Sequence, residues 1–106
     1  YTNTDRLIQV GRAAVLPPGD ARQDLWTIEQ VARRLGAGWN YWRAEDGDGR
    51  EAAEAPVARV YEEMRGVMEP LAGVPWSRLV REEAVMTPAA REDAPGEAVV
   101  FIDHFP

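Results

Sequence analysis

Apolar residues recur at spacings of three and four along Leu25, Ile28, Val31, Ala32 and Leu35, which is one face of an amphipathic helix. Pro17-Pro18-Gly19-Asp20 breaks the backbone before it, and Gly36 and Gly38 supply the stop. The pattern predicts a helix over 25–35 with Asp24 at the N-cap, where a carboxylate can accept from orphan first-turn N–H groups. A second helix is expected to start with Pro56 in its first turn. Val57, Val60, Tyr61, Met64, Val67 and Met68 then form its core face, with Arg59, Glu62, Glu63 and Arg65 mostly opposite. Its two methionines read as core filler. A shorter third helix begins at Val74-Pro75-Trp76 and carries Leu79 and Val80. Strands are expected over 7–10, with an extension toward Val15, and over 98–102, while 87–96 reads as loop. The order strand, helix, helix, short helix, strand makes the chain α+β, about three helices with short flanking strands.

Composition narrows the function classes. A chain of 106 residues is one domain or less. A mean hydropathy of -0.40, with no long apolar run, excludes a membrane span among these residues. The formal charge of -6 and pI near 4.7 argue against general nucleic-acid binding, which needs a basic surface. All 12 basic residues are Arg, a bias that fits GC-rich coding. The absence of Cys removes disulfides, thiolate ligands and Cys nucleophiles, and His104 is the only His. Residues 1–6 are polar and show no signal-peptide pattern, so a cytoplasmic location is the expectation. Both ends read as cut from a longer chain.

Candidate chemistry is sparse. Trp39-Asn40-Tyr41-Trp42 reads as cover for the end of a core. Asp46 and Asp48 alternate as in a calcium loop, but Val57 stands where an EF-hand needs its terminal Glu. The acidic 43–50 segment therefore reads as a solvated loop. Ser77 and His104 have no nucleophile-elbow context. Glu62-Glu63 and Glu82-Glu83 are adjacent on helices and diverge. Residue types and spacing alone identify no catalytic residue and no metal site. They leave open a stand-alone acidic interaction module using Trp39, Tyr41 and Trp42.

The motifs say more when taken in order. Thr2-Asn3-Thr4-Asp5-Arg6-Leu7-Ile8-Gln9, then Pro17-Pro18-Gly19-Asp20-Ala21-Arg22-Gln23-Asp24-Leu25-Trp26, resembles the molybdopterin oxidoreductase superfamily. Arg33-Arg34-Leu35-Gly36, Trp39-Asn40-Tyr41, Val60-Tyr61-Glu62-Glu63-Met64-Arg65, Leu71-Ala72-Gly73-Val74-Pro75-Trp76-Ser77-Arg78-Leu79 and the closing Phe101-Ile102-Asp103-His104-Phe105-Pro106 are similar to the catalytic alpha subunit of formate dehydrogenases. A related nitrate reductase shares the Asp-Leu-Trp stretch, and Trp39-Asn40-Tyr41 with the C-terminal strand favours formate. The Pro-Cys that the pattern places after the third helix is replaced by Met86-Thr87-Pro88-Ala89-Ala90, so no role tied to that Cys carries over. The 43–55 stretch is also longer and more acidic than the pattern.

This resemblance implies that residues 1–106 are a single internal segment, a fragment of a larger α/β molybdopterin oxidoreductase. That enzyme would hold molybdenum or tungsten in a bis-molybdopterin guanine dinucleotide (bis-MGD) cofactor and oxidise formate to carbon dioxide. Its metal-ligating residue and its 4Fe-4S clusters would lie outside this segment, leaving the isolated chain inactive. Partners would be the remainder of the catalytic subunit and electron-transfer subunits. A homo-oligomer covering the strand edges is also compatible with the sequence. One role carries over by motif: Asp24 as a ligand to the guanine end of the cofactor. A carboxylate can accept from both the guanine N1–H and its N2 amino group.

Overall fold

The structure is a computed structural model that describes residues 4–47 and 50–97. The expected strand over 98–102, His104, Asp48 and the turn residues Thr2 and Asn3 lie outside the described residues. Among the described residues, five helices and strands follow one another: β1 (Leu7–Gln9), α1 (Asp24–Arg34), α2 (Arg50–Val67), α3 (Trp76–Glu82) and β2 (Ala84–Met86). This is an α+β arrangement with three helices and a two-stranded antiparallel sheet. The chain divides into two compact units, Tyr1–Gly11 with Tyr61–Pro106, and Arg12–Val60. Among the described residues, no helix is long and apolar enough to cross a membrane.

The unit containing the sheet has the apolar core. β1 pairs with β2 in the register Leu7↔Met86, Ile8↔Val85 and Gln9↔Ala84. The central pair, Ile8 and Val85, points inward and joins Tyr61, Leu71, Val74, Leu79 and Ala89. β2 was not expected from the sequence. Its three residues are too few to show an alternation, and its partner lies far away in the chain. The projected extension of β1 toward Val15 does not form, and Val15 is exposed.

Several family-like residues in this unit serve the packing. The Tyr61 hydroxyl donates to the Val74 carbonyl at 2.6 Å, and its ring lies 5.8 Å from that of Trp76. The Glu62 carboxylate accepts the Trp76 backbone N–H at 2.6 Å, satisfying an orphan donor at the start of α3. Glu62 also pairs with Arg65, so it is not the solvated carboxylate its position beside Glu63 suggested. Arg78 is buried, and its guanidinium donates to the carbonyls of Gly73, Arg91 and Ala94. Buried carbonyls need such donors, and one side chain here fixes the loop after β2. That loop passes so close to Gly73 that an added Cβ would meet the Arg91 backbone at 2.4 Å.

α1 ends as its glycine predicts. Gly36 has φ 86, Ala37 N–H bonds to Ala32 O at 2.9 Å and Gly36 N–H to Arg33 O at 3.1 Å. These two bonds are a Schellman closure. Its start differs from expectation. Gln23, in extended conformation, is the N-cap, and Asp24 is the first helical residue, with no side-chain cap bond. The Gln23 carbonyl accepts the first helical N–H, from Thr27, which places the boundary one residue earlier than the Asp24 carboxylate suggested.

α2 begins at Arg50, so Pro56 lies inside it rather than in its first turn. The Ala- and Glu-rich residues before Pro56 are strong helix formers. They extend the helix despite the N–H that proline lacks. The apolar faces also differ from the expected core faces. On α1, Ile28 and Val31 are half-exposed and Leu35 is 82% exposed. On α2, Val57, Met64, Val67 and Met68 are exposed, while Tyr61 and Pro56 are buried. The methionines are therefore not core filler.

Candidate functional site

The Arg12–Val60 unit is organised around a charge rather than an apolar cluster. Glu29, on α1, has 0% relative exposure. One carboxylate oxygen accepts the backbone N–H groups of Tyr41 and Trp42 at 2.9 and 3.1 Å. The other lies 2.5 Å from Arg33, one turn further along the helix. Arg33 in turn donates to the Trp39 carbonyl, the Asn40 side-chain oxygen and the Trp42 carbonyl. The aromatic segment is thus tied down from its backbone side, and Trp39 and Tyr41 meet edge to face at 5.8 Å.

A second pin comes from α2. Arg59 donates to the Tyr41 carbonyl and grips both oxygens of Asp46. The guanidinium holds the Asp46 carboxyl below its ordinary range, and Asp46 holds Arg59 above its own. Asp46 also accepts the Arg43 backbone N–H at 3.2 Å, closing a short 3-10 turn at Ala44–Asp46. The acidic loop expected to be solvated is therefore ordered through Asp46.

These pins shape a cavity of about 270 Å³ at the start of α1. Arg22, Gln23, Trp26, Trp42, Arg43 and Asp46 line it, with Leu16 and Pro17 contributing apolar wall. The Arg22 guanidinium lies 5.8 Å from the Trp26 ring centroid, a cation–π distance. Gln23 donates to the Ala53 carbonyl at 3.4 Å. Asp24 does not line the cavity. It is exposed at the first helical position, next in sequence to Gln23, and its carboxylate makes no bond to another described residue. The dipole at that end of α1 favours its negative charge.

The remaining candidates do not assemble. Ser77 is exposed in the first turn of α3. The Glu82 carboxyl is held below its ordinary range by Arg81 and Arg78. Among the described residues, no group of three metal-ligating side chains converges. Sequence reading singled out Asp24 but passed over Arg22, Trp26, Arg43 and Glu29. Only the Pro17–Trp26 motif pointed to the first two. A single buried Glu on an amphipathic helix leaves no periodic signal of its own.

No protein-family model matches the chain. The F420-dependent formate dehydrogenase subunit alpha of Methanocaldococcus jannaschii is 31% identical over 107 residues, covering 99% of this chain. A formate dehydrogenase homologue of Bacillus subtilis is 42% identical over 57 residues, 54% of this chain. The chain is homologous to a segment of formate dehydrogenases. This formate dehydrogenase homologue spans only 14% of the archaeal relative and 6% of the Bacillus one. A nitrate reductase of Symbiobacterium thermophilum is also similar, 35% identical over 83 residues, with 67% of this chain and 11% of the relative covered. All three relatives named here are oxidoreductases or their homologues.

Proposed function

We propose that this chain is a segment of the catalytic subunit of a molybdenum- or tungsten-dependent formate dehydrogenase, and that its Arg12–Val60 unit grips the guanine end of a bis-MGD cofactor. The observation that carries this reading is the match along 99% of the chain to a formate dehydrogenase alpha subunit. The acceptor that α1 presents fits a guanine. Asp24 offers an exposed carboxylate without a partner among the described residues, at a helix start where negative charge is favoured. Guanine presents two adjacent donors to such a fork, and adenine does not. When bound, the cofactor supplies the two-electron oxidation of formate to carbon dioxide. The residues of this chain hold one end of the cofactor and take no proton or electron in that step. Electrons would leave through iron–sulfur clusters held by other parts of the enzyme.

The exposed apolar residues Ile28, Val31 and Leu35 support the same reading, since they form a helix face suited to further polypeptide of the subunit. The nitrate reductase relative supports a second reading, in which the cofactor grip is the same and the substrate is nitrate.

The test is Asp24→Asn in the full-length enzyme, with the guanine nucleotide retained per polypeptide as the readout. An amide presents one acceptor and one donor, so a mismatch costing roughly 1–3 kcal/mol is expected, and retention falls. Unchanged retention would assign Asp24 to the helix start alone.

A further inference from the structure

One wall of the cavity at the start of α1 is attached differently from the others. Arg43, Asp46 and Gly47 belong to that wall, whereas Trp26 and Ala53 are carried by α1 and α2. Residues 43–47 hold their own shape. The Arg43 N–H bonds to the Asp46 carboxylate at 3.2 Å, the Asp46 N–H to the Arg43 carbonyl at 3.2 Å and the Gly47 N–H to the Ala44 carbonyl at 3.3 Å. None of the five residues is buried, so no apolar core anchors this turn. A small unit with internal bonds and few buried apolar contacts opens at lower cost than the elements around it.

The two ends of the turn are unlike. On the near side, the backbone N–H groups of Tyr41 and Trp42 are pinned to the buried Glu29 carboxylate, which fixes the base. On the far side stands Gly47, with φ 73 and ψ -147, a conformation that other residues rarely adopt. An added Cβ there would meet nothing within 4 Å, so the backbone has room to rotate, as a hinge requires. Between the ends, Arg59 of α2 donates to both oxygens of Asp46, one at 2.7 Å. Among the described residues, that bidentate pair is the one hydrogen-bonded link from a helix to residues 43–47, and its geometry makes it a strong one. Size gives the link a consequence. At about 270 Å³, the cavity falls just short of the ~300–1,000 Å³ typical of small-molecule sites, so a ligand of ordinary size needs a wall to move.

We propose that residues 43–47 form a flap, hinged at Gly47 and latched to α2 by the Asp46–Arg59 pair, that swings out to admit ligands larger than the closed cavity holds. The base pinned by Glu29 stays in place and the turn keeps its internal bonds. Opening then breaks the ion pair and the 3.3 Å bond from the Arg43 guanidinium to the Asn40 carbonyl. The flap sets the size of what enters and is independent of the guanine contact at Asp24.

The experiment reads access to the α2 wall of the cavity in the cofactor-free full-length enzyme. A reporter thiol is introduced as Ala53→Cys, and its alkylation is followed by peptide mass mapping. Two reagents are compared: iodoacetamide, which is small, and fluorescein maleimide, which is larger than the closed cavity. Asp46→Asn and Arg59→Gln, each added to the reporter, should raise the fluorescein maleimide rate about tenfold, the loss of one charge-assisted link. The iodoacetamide rate should stay near that of the reporter alone. The double variant should gain no more than the larger single one, since both substitutions break the same pair. Hydrogen exchange over residues 24–34 that matches the reporter alone shows that the variants fold. The flap is overturned if the bulky reagent reacts no faster in either latch variant, or if the two gains multiply in the double variant. It is also overturned if both reagents speed up together with exchange over 24–34, which marks unfolding of the whole unit.

Discussion

Ile8 and Val85 are buried in the sheet of one unit, whereas Ile28 and Val31 stand half-exposed on α1 of the other. All four are β-branched aliphatic residues, so their chemistry does not explain the difference. In the first unit the apolar residues meet one another, and polar groups such as Arg78 tie loops onto that core. In the second, the residue buried on α1 is Glu29, and the loop it holds is fixed by carboxylate and guanidinium contacts. A regular apolar stripe therefore reports that a face needs cover without saying what covers it. A unit held by ionic pins can leave both an apolar helix face and a polar cavity open to something else. The proposed cofactor grip within a larger enzyme would use both.

The comparison can be broken most sharply at the core. Leu79→Ala removes a side chain with 1% exposure and should cost about 2–5 kcal/mol, read as a fall in the unfolding midpoint in urea. A loss as small as that of a surface substitution would mean this unit has no more of a core than its neighbour. Glu29→Ala comes next. It strands two backbone N–H groups and releases Arg33, which is partly exposed, so roughly 1–3 kcal/mol is expected. Hydrogen exchange should show the loss concentrated in residues 39–46. An even loss across the chain would contradict the pin.

Alkaline pH separates the two units further. Burial pushes the Tyr61 hydroxyl up to about 12, while an unfolded tyrosine titrates near ~10. The protonated form is favoured in the folded state, so the contribution is complete below the unfolded value and is lost as pH rises through about 12. Alkaline unfolding should begin around Tyr61, and Tyr61→Phe should flatten the pH dependence, followed by tyrosinate absorbance. Acid acts in the opposite sense on Asp46, whose carboxyl Arg59 holds low. That contribution is present above the ordinary carboxylate range and disappears as pH falls below it. Glu82 behaves likewise, so acid should loosen both units. The smallest effect is expected at Ile28→Ser, within about 0.5 kcal/mol in this chain, measured by thermal melting. A large loss there would show that the face is covered after all.

The sequence was legible where local rules decide the outcome. The stop of α1 at Gly36 and the start of α3 after Pro75 follow from backbone chemistry that needs no distant partner. β2 was hidden because three residues carry no period and depend on β1 for their bonds. The extent of α2 was hidden because Pro56 reads as a start signal while the Ala- and Glu-rich residues before it propagate the helix. At the site, Asp24 could be named only through a motif, and the structure shifts it from cap to first helical residue. Arg22 and Trp26 belong to the same motif, but nothing in their spacing says that a cavity forms beside them. Glu29 and Arg59 were unreadable, since charged residues on helices usually signal a solvated face.

Photocrosslinking of azidoguanosine monophosphate to the cofactor-free full-length enzyme, with the modified peptides mapped, tests the central claim most directly. The account predicts adducts within residues 16–53, at the cavity walls beside Asp24, that free guanosine monophosphate suppresses. Suppressible adducts confined to residues 61–97, or to other parts of the enzyme, would contradict it.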